Sequence, residues 1–199
     1  MTTRSLIVKG MAVLVTVVVA LALAGGTLAA DHKRKSRYTS LDPADCKILK
    51  THPDGNSFRC PGLSGTAVYF AEGHHRAFLS FGARAEIQRS ATQTLFLSNT
   101  PFEGRRRRAT IEWRVTERFG KVLPYATIVR YFIASDGKSG QVLVVTRLTE
   151  KEACQVAHID ALANSDAIMM ARRVADQVAP KFDCRSEPRI EGTPGILGR

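Results

Sequence analysis

The chain is short of acids, with 18 Asp and Glu against 29 Lys and Arg, a formal charge of +11 over 199 residues. It has one tryptophan and four cysteines, and no two cysteines stand in a C-x-x-C spacing. Also absent are a G-x-S-x-G elbow, an H-E-x-x-H helix, a P-loop and a dinucleotide fingerprint, so the common nucleophile, zinc and nucleotide arrangements and their cofactors find no support. Triads assembled from distant residues would leave no such trace. The excess of base favours anionic neighbours such as lipid headgroups or envelope phosphates.

What is present begins with a leader-like segment. Arg4 and Lys9 precede an apolar run from Met11 to Ala24, and Thr27-Leu28-Ala29-Ala30 offers small residues for cleavage, the layout of a secretory signal peptide over residues 1–30. The rival reading is an uncleaved anchor, because Gly10 to Ala30 is free of charge and about the length that spans a bilayer. Lys33, Arg34, Lys35 and Arg37 follow at once, and positive charge there opposes export. Residues 10–37 are therefore the candidate membrane contact. The segment holds two of the 29 bases and none of the 18 acids, so a chain without it carries 27 against 18, a formal +9. Export makes nucleic acid the partner that fits least.

All four cysteines, Cys46, Cys60, Cys154 and Cys184, lie after that segment, an even number in a compartment that permits oxidation. Three connectivities exist. Cys46 with Cys60 and Cys154 with Cys184 are favoured, because each closes a local loop; a tetrahedral zinc site is the alternative.

The stretch that organises the chain runs from Tyr125 to Leu148, two apolar runs around Ser135-Asp136-Gly137-Lys138-Ser139-Gly140. It reads as a β-hairpin. Tyr125, Val129, Tyr131 and Ile133 alternate with Ala126, Ile128, Phe132 and Ala134, so both faces are apolar, as in central strands covered on both sides. Arg130 and Arg147 interrupt these faces and need partners, for which Glu112 is the candidate. Thr110 to Thr116 reads as a strand with Trp113 inward and Glu112 and Arg114 on a wet face. Ala153 to Ile159 reads as another strand. In it Cys154 and His158 stand roughly 13 Å apart at about 3.3 Å per residue, too far for direct proton exchange.

Earlier in the chain, residues 31–45 form a basic lead-in, and Pro53-Asp54-Gly55-Asn56 is a turn. Thr66 to Phe70 and Arg76 to Phe81 make a second hairpin, whose tip carries Glu72, His74 and His75, candidate metal ligands or simply an exposed polar turn. Ala83 to Ser90 reads as a short helix and Thr94 to Leu97 as a short strand. Four consecutive arginines, Arg105, Arg106, Arg107 and Arg108, repel one another unless acids or an anionic partner lie opposite, which makes them the candidate anion-binding residues. Near the end, Asn164-Ser165-Asp166 caps an amphipathic helix through Ile168, Ala171, Val174, Ala175 and Val178, ended by Pro180. Residues 185–199 lack periodicity and read as a disordered tail.

The expected fold is thus α+β, a single domain over residues 46–184: an antiparallel sheet, one C-terminal helix packed on it, and two disulfides. The chain also resembles a group of secreted alphaproteobacterial proteins without an assigned function. The likeness lies in Tyr38-Thr39-Ser40-Leu41-Asp42, Cys60-Pro61-Gly62, Ile111-Glu112-Trp113-Arg114, Ala126-Thr127-Ile128-Val129-Arg130, Gly140 to Thr146, and Cys154 with Asp160-Ala161-Leu162-Ala163-Asn164. It covers roughly residues 38–188 and implies export but no mechanism; the histidine pair and the arginine run stand outside its pattern. The function expected from these features is a non-catalytic periplasmic or envelope binding or accessory protein for an anionic envelope component or envelope protein. The alternatives are a hydrolase of envelope polymers and a membrane-anchored protein that contacts anionic lipids.

Overall fold

The computed structural model describes residues 34–135 and 137–198, so the expected leader over residues 1–30 lies outside the described residues. The strands in chain order are β1 (Lys35–Leu41), β2 (Lys47–His52), β3 (Gly55–Cys60), β4 (Val68–Gly73), β5 (Arg76–Phe81) and β6 (Asn99–Thr100). They continue with β7 (Ala109–Arg118), β8 (Lys121–Ser135), β9 (Lys138–Leu148), β10 (Ala153–Asp160) and β11 (Arg189–Ile190), with the helix α1 (Ala167–Arg173) between the last two. The seven-stranded sheet has the order β1-β7-β8-β9-β10-β11, and β6 also pairs with β8. A four-stranded sheet, β2-β3-β4-β5, is built of successive antiparallel pairs.

The two-faced apolar hairpin explains the layering. One face of β8 and β9, with Val129, Tyr131, Val142 and Val144, joins Trp113 of β7 and Phe70, Leu79 and Phe81 of the small sheet in one core. The other face, with Ala126, Ile128, Leu143 and Val145, is covered by Ala167, Met170, Ala171, Val174 and Ala175 of the helical segment. Each large side chain buried this way contributes about 1.5–3 kcal/mol, so the doubly covered hairpin carries much of the stability. Trp113 is fully buried, its ring edge-on to Phe81 at 5.5 Å and its Nε1 donating to Thr39 Oγ1.

Both expected disulfides are present. Cys46 pairs with Cys60 across the first turn of the small sheet, and Cys154 pairs with Cys184, clipping the end of the helical segment to β10.

Several local expectations are corrected. Tyr125 does not share the face of Val129: the β7–β8 register passes from Arg114–Ala126 to Val115–Pro124, and the extra residue turns Tyr125 toward the helix. Ala83 to Ser90 is not a helix but two separate 3-10 turns, Ala85–Ile87 and Arg89–Ala91. Thr94 to Leu97 is irregular, and the short strand falls at Asn99–Thr100 instead. The cause is the buried Asn99 side chain, whose Nδ2 donates to the Leu95 and Leu97 carbonyls while its Oδ1 accepts from the Ala77 amide. The long helix is α1 followed by a wide π turn at Val174–Val178 and a 3-10 turn at Ala179–Lys181; Pro180 has no N–H to return to the preceding turn.

Both ends of the domain are built in. The basic lead-in supplies β1, antiparallel to β7 from Lys35 opposite Val115 to Leu41 opposite Ala109. The tail, expected to be disordered, is ordered through residue 198: β11 pairs in parallel with Ala157 and His158, and Ile196 packs into the main core. Polar anchors replace the missing periodicity. Asp160 accepts backbone N–H groups from Leu162, Ala163 and Ile196, and Asn164 binds Thr193 through both its amide and its carbonyl. At Gly195, with φ +51°, a side chain would collide with the Asp160 carboxylate, a Cβ lying 2.2 Å from Oδ2.

Candidate functional site

The β4–β5 hairpin turns through His74 and His75, both at positive φ (+50° and +61°), the geometry of a two-residue turn. The turn holds the imidazoles at its tip. His74 Nε2 lies 3.8 Å from Asp54 Oδ2, and Glu72 is engaged elsewhere, accepting two hydrogen bonds of 2.8 Å from Arg107 Nη2. Glu72, His74 and His75 are therefore not brought together around a common point. Among the described residues no three His, Cys, Asp or Glu side chains are grouped as metal ligands.

The four arginines occupy the loop leading into β7, and the structure divides them into two pairs. Arg107 is held by Glu72 and lies over the Phe102 ring at 5.1 Å; Arg108 donates to Asp42 Oδ2 at 3.2 and 3.3 Å. The Asp42 carboxyl sits below the usual carboxylate range, first because the Ala44 amide donates to it and then because of Arg108. Arg105 and Arg106 are exposed and make no ion pair among the described residues. Two braced arginines thus hold two free ones outward.

This ridge adjoins two clefts that share Phe132. One, of about 500 Å³, is lined by His75, Arg76, Asn99 and Arg107 together with Glu72 and Asp54. The other, of about 230 Å³, is lined by Glu103, Arg108, Thr110 and Arg130. Arg130 is not paired with Glu112 as expected; its Nη1 donates to the neutral Gln141 Oε1 at 2.6 Å. Arg147 likewise uses Glu152, with Nη1 also 3.7 Å from Cys184 Sγ.

Glu112 has another use. It and Arg114 were expected on a wet face, yet both are buried where Arg172 and Asp176 of the helical segment reach β7. Arg114 donates to both oxygens of Asp176 at 2.9 and 2.7 Å, and the Tyr125 hydroxyl donates to Asp176 Oδ1 at 2.7 Å. Glu112 Oε1 accepts from Arg172 Nε at 2.7 Å and from Ser36 Oγ at 2.5 Å. Burial would lower the Arg114 pKa, but Asp176 outweighs it and raises the value; burial, then Asp176, also pushes the Tyr125 hydroxyl up. Two cations face two carboxylates, so the cluster is a neutral bolt between sheet and helix rather than a reactive site.

His158 and Cys154 do not form a pair. Cys154 is bonded to Cys184, while the bulge between Gln155 and Ala157 puts Gln155 on the His158 side, where Gln155 Oε1 meets Nε2 at 2.7 Å. Burial lowers the His158 pKa to about 4, so this imidazole is neutral.

Sequence reasoning found the arginine run but missed Arg76 and Phe132 as its neighbours, since their approach depends on β6 lying beside β8. The interruption of an apolar strand by Arg130 was the one available signal. No protein-family model, curated protein or solved structure matches the chain. Among the described residues no helix is long and apolar enough to cross a membrane.

Proposed function

We propose that the chain is a non-catalytic binding protein of the periplasm or cell envelope, whose arginine ridge engages an anionic envelope component. The observation that carries this reading is the division of labour in the ridge: Arg107 and Arg108 are fixed by Glu72 and Asp42, while Arg105 and Arg106 project without an intramolecular counter-ion among the described residues. Like charges held together cost energy unless an anion relieves them, and guanidinium forks match phosphate and carboxylate oxygens. Arg76 and Arg130 extend the cationic lining into the adjoining clefts. The two disulfides support an oxidising compartment. The hydrolase alternative draws no support from Glu72, which is committed to Arg107, or from the histidines, which stand on a turn.

Co-sedimentation with phosphatidylglycerol vesicles, against phosphatidylcholine vesicles, tests the reading. Each base near such a surface contributes about 1 kcal/mol, so Arg105→Ala/Arg106→Ala should weaken binding by about 30-fold at low salt. Absence of binding to the anionic vesicles, or binding indifferent to the double variant, overturns it.

A further inference from the structure

A third cavity shares no lining residue with the two clefts beside the ridge and differs from them in chemistry. Leu95, Phe96, Leu97, Ile133, Ile196 and Leu197 enclose about 300 Å³ between the loop that precedes β6, the end of β8 and the C-terminal turn at Gly195–Leu197. Its lining is made of apolar side chains and the glycine at 198. Leu95 and Ile133 form a buried floor, whereas Phe96 is 68% exposed at the mouth. An exposed aromatic ring at the rim of a hollow lined by apolar side chains is an arrangement suited to an apolar guest.

The mouth also carries a charge. The Arg76 guanidinium lies 5.8 Å from the centre of the Phe96 ring, a cation–π contact that places the cation beside the opening. Arg76 has no carboxylate partner among the described residues. The wall opposite is held in place by polar anchoring, with Ile196 N donating to Asp160 Oδ2 at 2.6 Å, and the Ile196 side chain fits against Gly140, where a Cβ would come within 2.8 Å of it. The hollow is therefore built where residues 95–97 and Ile133 from mid-chain meet the anchored segment 196–198, rather than left by loose packing.

We infer that this pocket binds a single-chain anionic amphiphile, its short acyl chain in the hollow and its carboxylate or phosphate against Arg76. A plain hydrocarbon would leave the guanidinium unused, and a small anion would leave the cavity empty; an amphiphile satisfies both. The inference goes beyond the arginine ridge; the two share Arg76, which lines the cleft beside Arg107, but the pocket does not require Arg105 or Arg106.

Calorimetric titration of the full chain with sodium decanoate, below its micellar concentration, tests the inference, with 1-decanol and inorganic phosphate as the two half-ligands. Decanoate should bind one to one, and phosphate should neither bind here nor compete. Arg76→Gln should weaken decanoate by about 2- to 5-fold, the range of an exposed charge pair, and leave decanol unchanged. Leu97→Asp should weaken both by about 10-fold or more, since a carboxylate in the wall must be desolvated. Leu197→Trp, which fills the cavity without burying charge, should do the same and guards against a Leu97→Asp protein that fails to fold. Arg105→Ala/Arg106→Ala should leave decanoate binding intact, which separates this pocket from the ridge. If vesicle binding also falls with Leu197→Trp, the amphiphile is drawn from a bilayer; if only decanoate binding falls, it is taken from solution. No decanoate binding up to about 1 mM, or binding indifferent to both Leu97→Asp and Leu197→Trp, overturns the inference.

Discussion

Arg114 on β7 and Asp176 in the helical segment face each other through two parallel hydrogen bonds of 2.9 and 2.7 Å, the fork geometry in which guanidinium and carboxylate bind most strongly. Removing Asp176 leaves Arg114 buried with only Glu112 at 3.9 Å, a carboxylate already held by Arg172, and this unbalanced charge costs more than removing both members. Asp176→Ala should therefore lower stability by about 3–5 kcal/mol, read as a shifted midpoint in urea with an unchanged slope. The double variant Arg114→Leu/Asp176→Leu should lose less than Asp176→Ala alone. Equal losses would mean that the pair is not the bolt between sheet and helix.

His158 provides a pH test whose direction follows from its environment. Burial lowers its pKa from 6.5 to about 4, so in the folded chain it stays neutral while the unfolded chain takes up a proton below about 6.5. The contribution is present above that pH and is lost as pH falls toward 4, by about 3 kcal/mol in all. Asp42, Glu117 and Asp183 also have lowered values, Asp183 to about 2, and their losses come at more acidic pH, as each carboxylate is protonated. His158→Gln cannot titrate. Urea titrations from pH 7 to 4 should show a steeper decline for the natural chain than for the variant; parallel curves would remove His158 as the cause.

Legibility followed periodicity. The β8–β9 hairpin was readable because alternation over a long apolar stretch allows few other structures, and its two apolar faces implied cover on both sides. Local loop closure likewise pointed to the observed disulfides. Glu112 and Arg114 misled because a polar residue at every second position reads as a wet face, and nothing local records that Arg172 and Asp176, some 60 residues later, neutralise them. The tail misled for a related reason: its order comes from backbone groups meeting Asp160 and Asn164, contacts without a period. Of the candidate site, the arginine run was visible as composition, but the clefts beside it exist only because β6 brings Asn99 and Thr100 next to β8.

Asp160 ties the tail to the sheet, accepting from Leu162 and Ala163 at 2.8 Å and from Ile196 at 2.6 Å. An asparagine keeps the size and one acceptor but puts an amide where the other must accept. Asp160→Asn should cost about 1–3 kcal/mol locally. Hydrogen exchange should show Ile196 and its neighbours losing protection while β8 and β9 keep theirs. Uniform loss across the domain would mean that the tail is inseparable from the main core rather than a separately anchored strap.

The turn at His74 and His75 makes the last prediction, because its backbone and its side chains point to different residues. Both positions lie at positive φ, where a Cβ is disfavoured by about 1–2 kcal/mol and where Asn-Gly is the preferred pair. His74→Asn/His75→Gly should therefore raise stability by about 1–2 kcal/mol, seen as a higher midpoint in urea. With Glu72 held by Arg107, the two imidazoles lack a third ligand at the turn, so Zn²⁺ should shift the melting temperature of the natural chain no more than that of the variant. A Zn²⁺-dependent rise confined to the natural chain would reverse the assignment. It would mean that the strained turn is kept for metal binding, with Asp54, 3.8 Å from His74, as the first residue to examine as a further ligand.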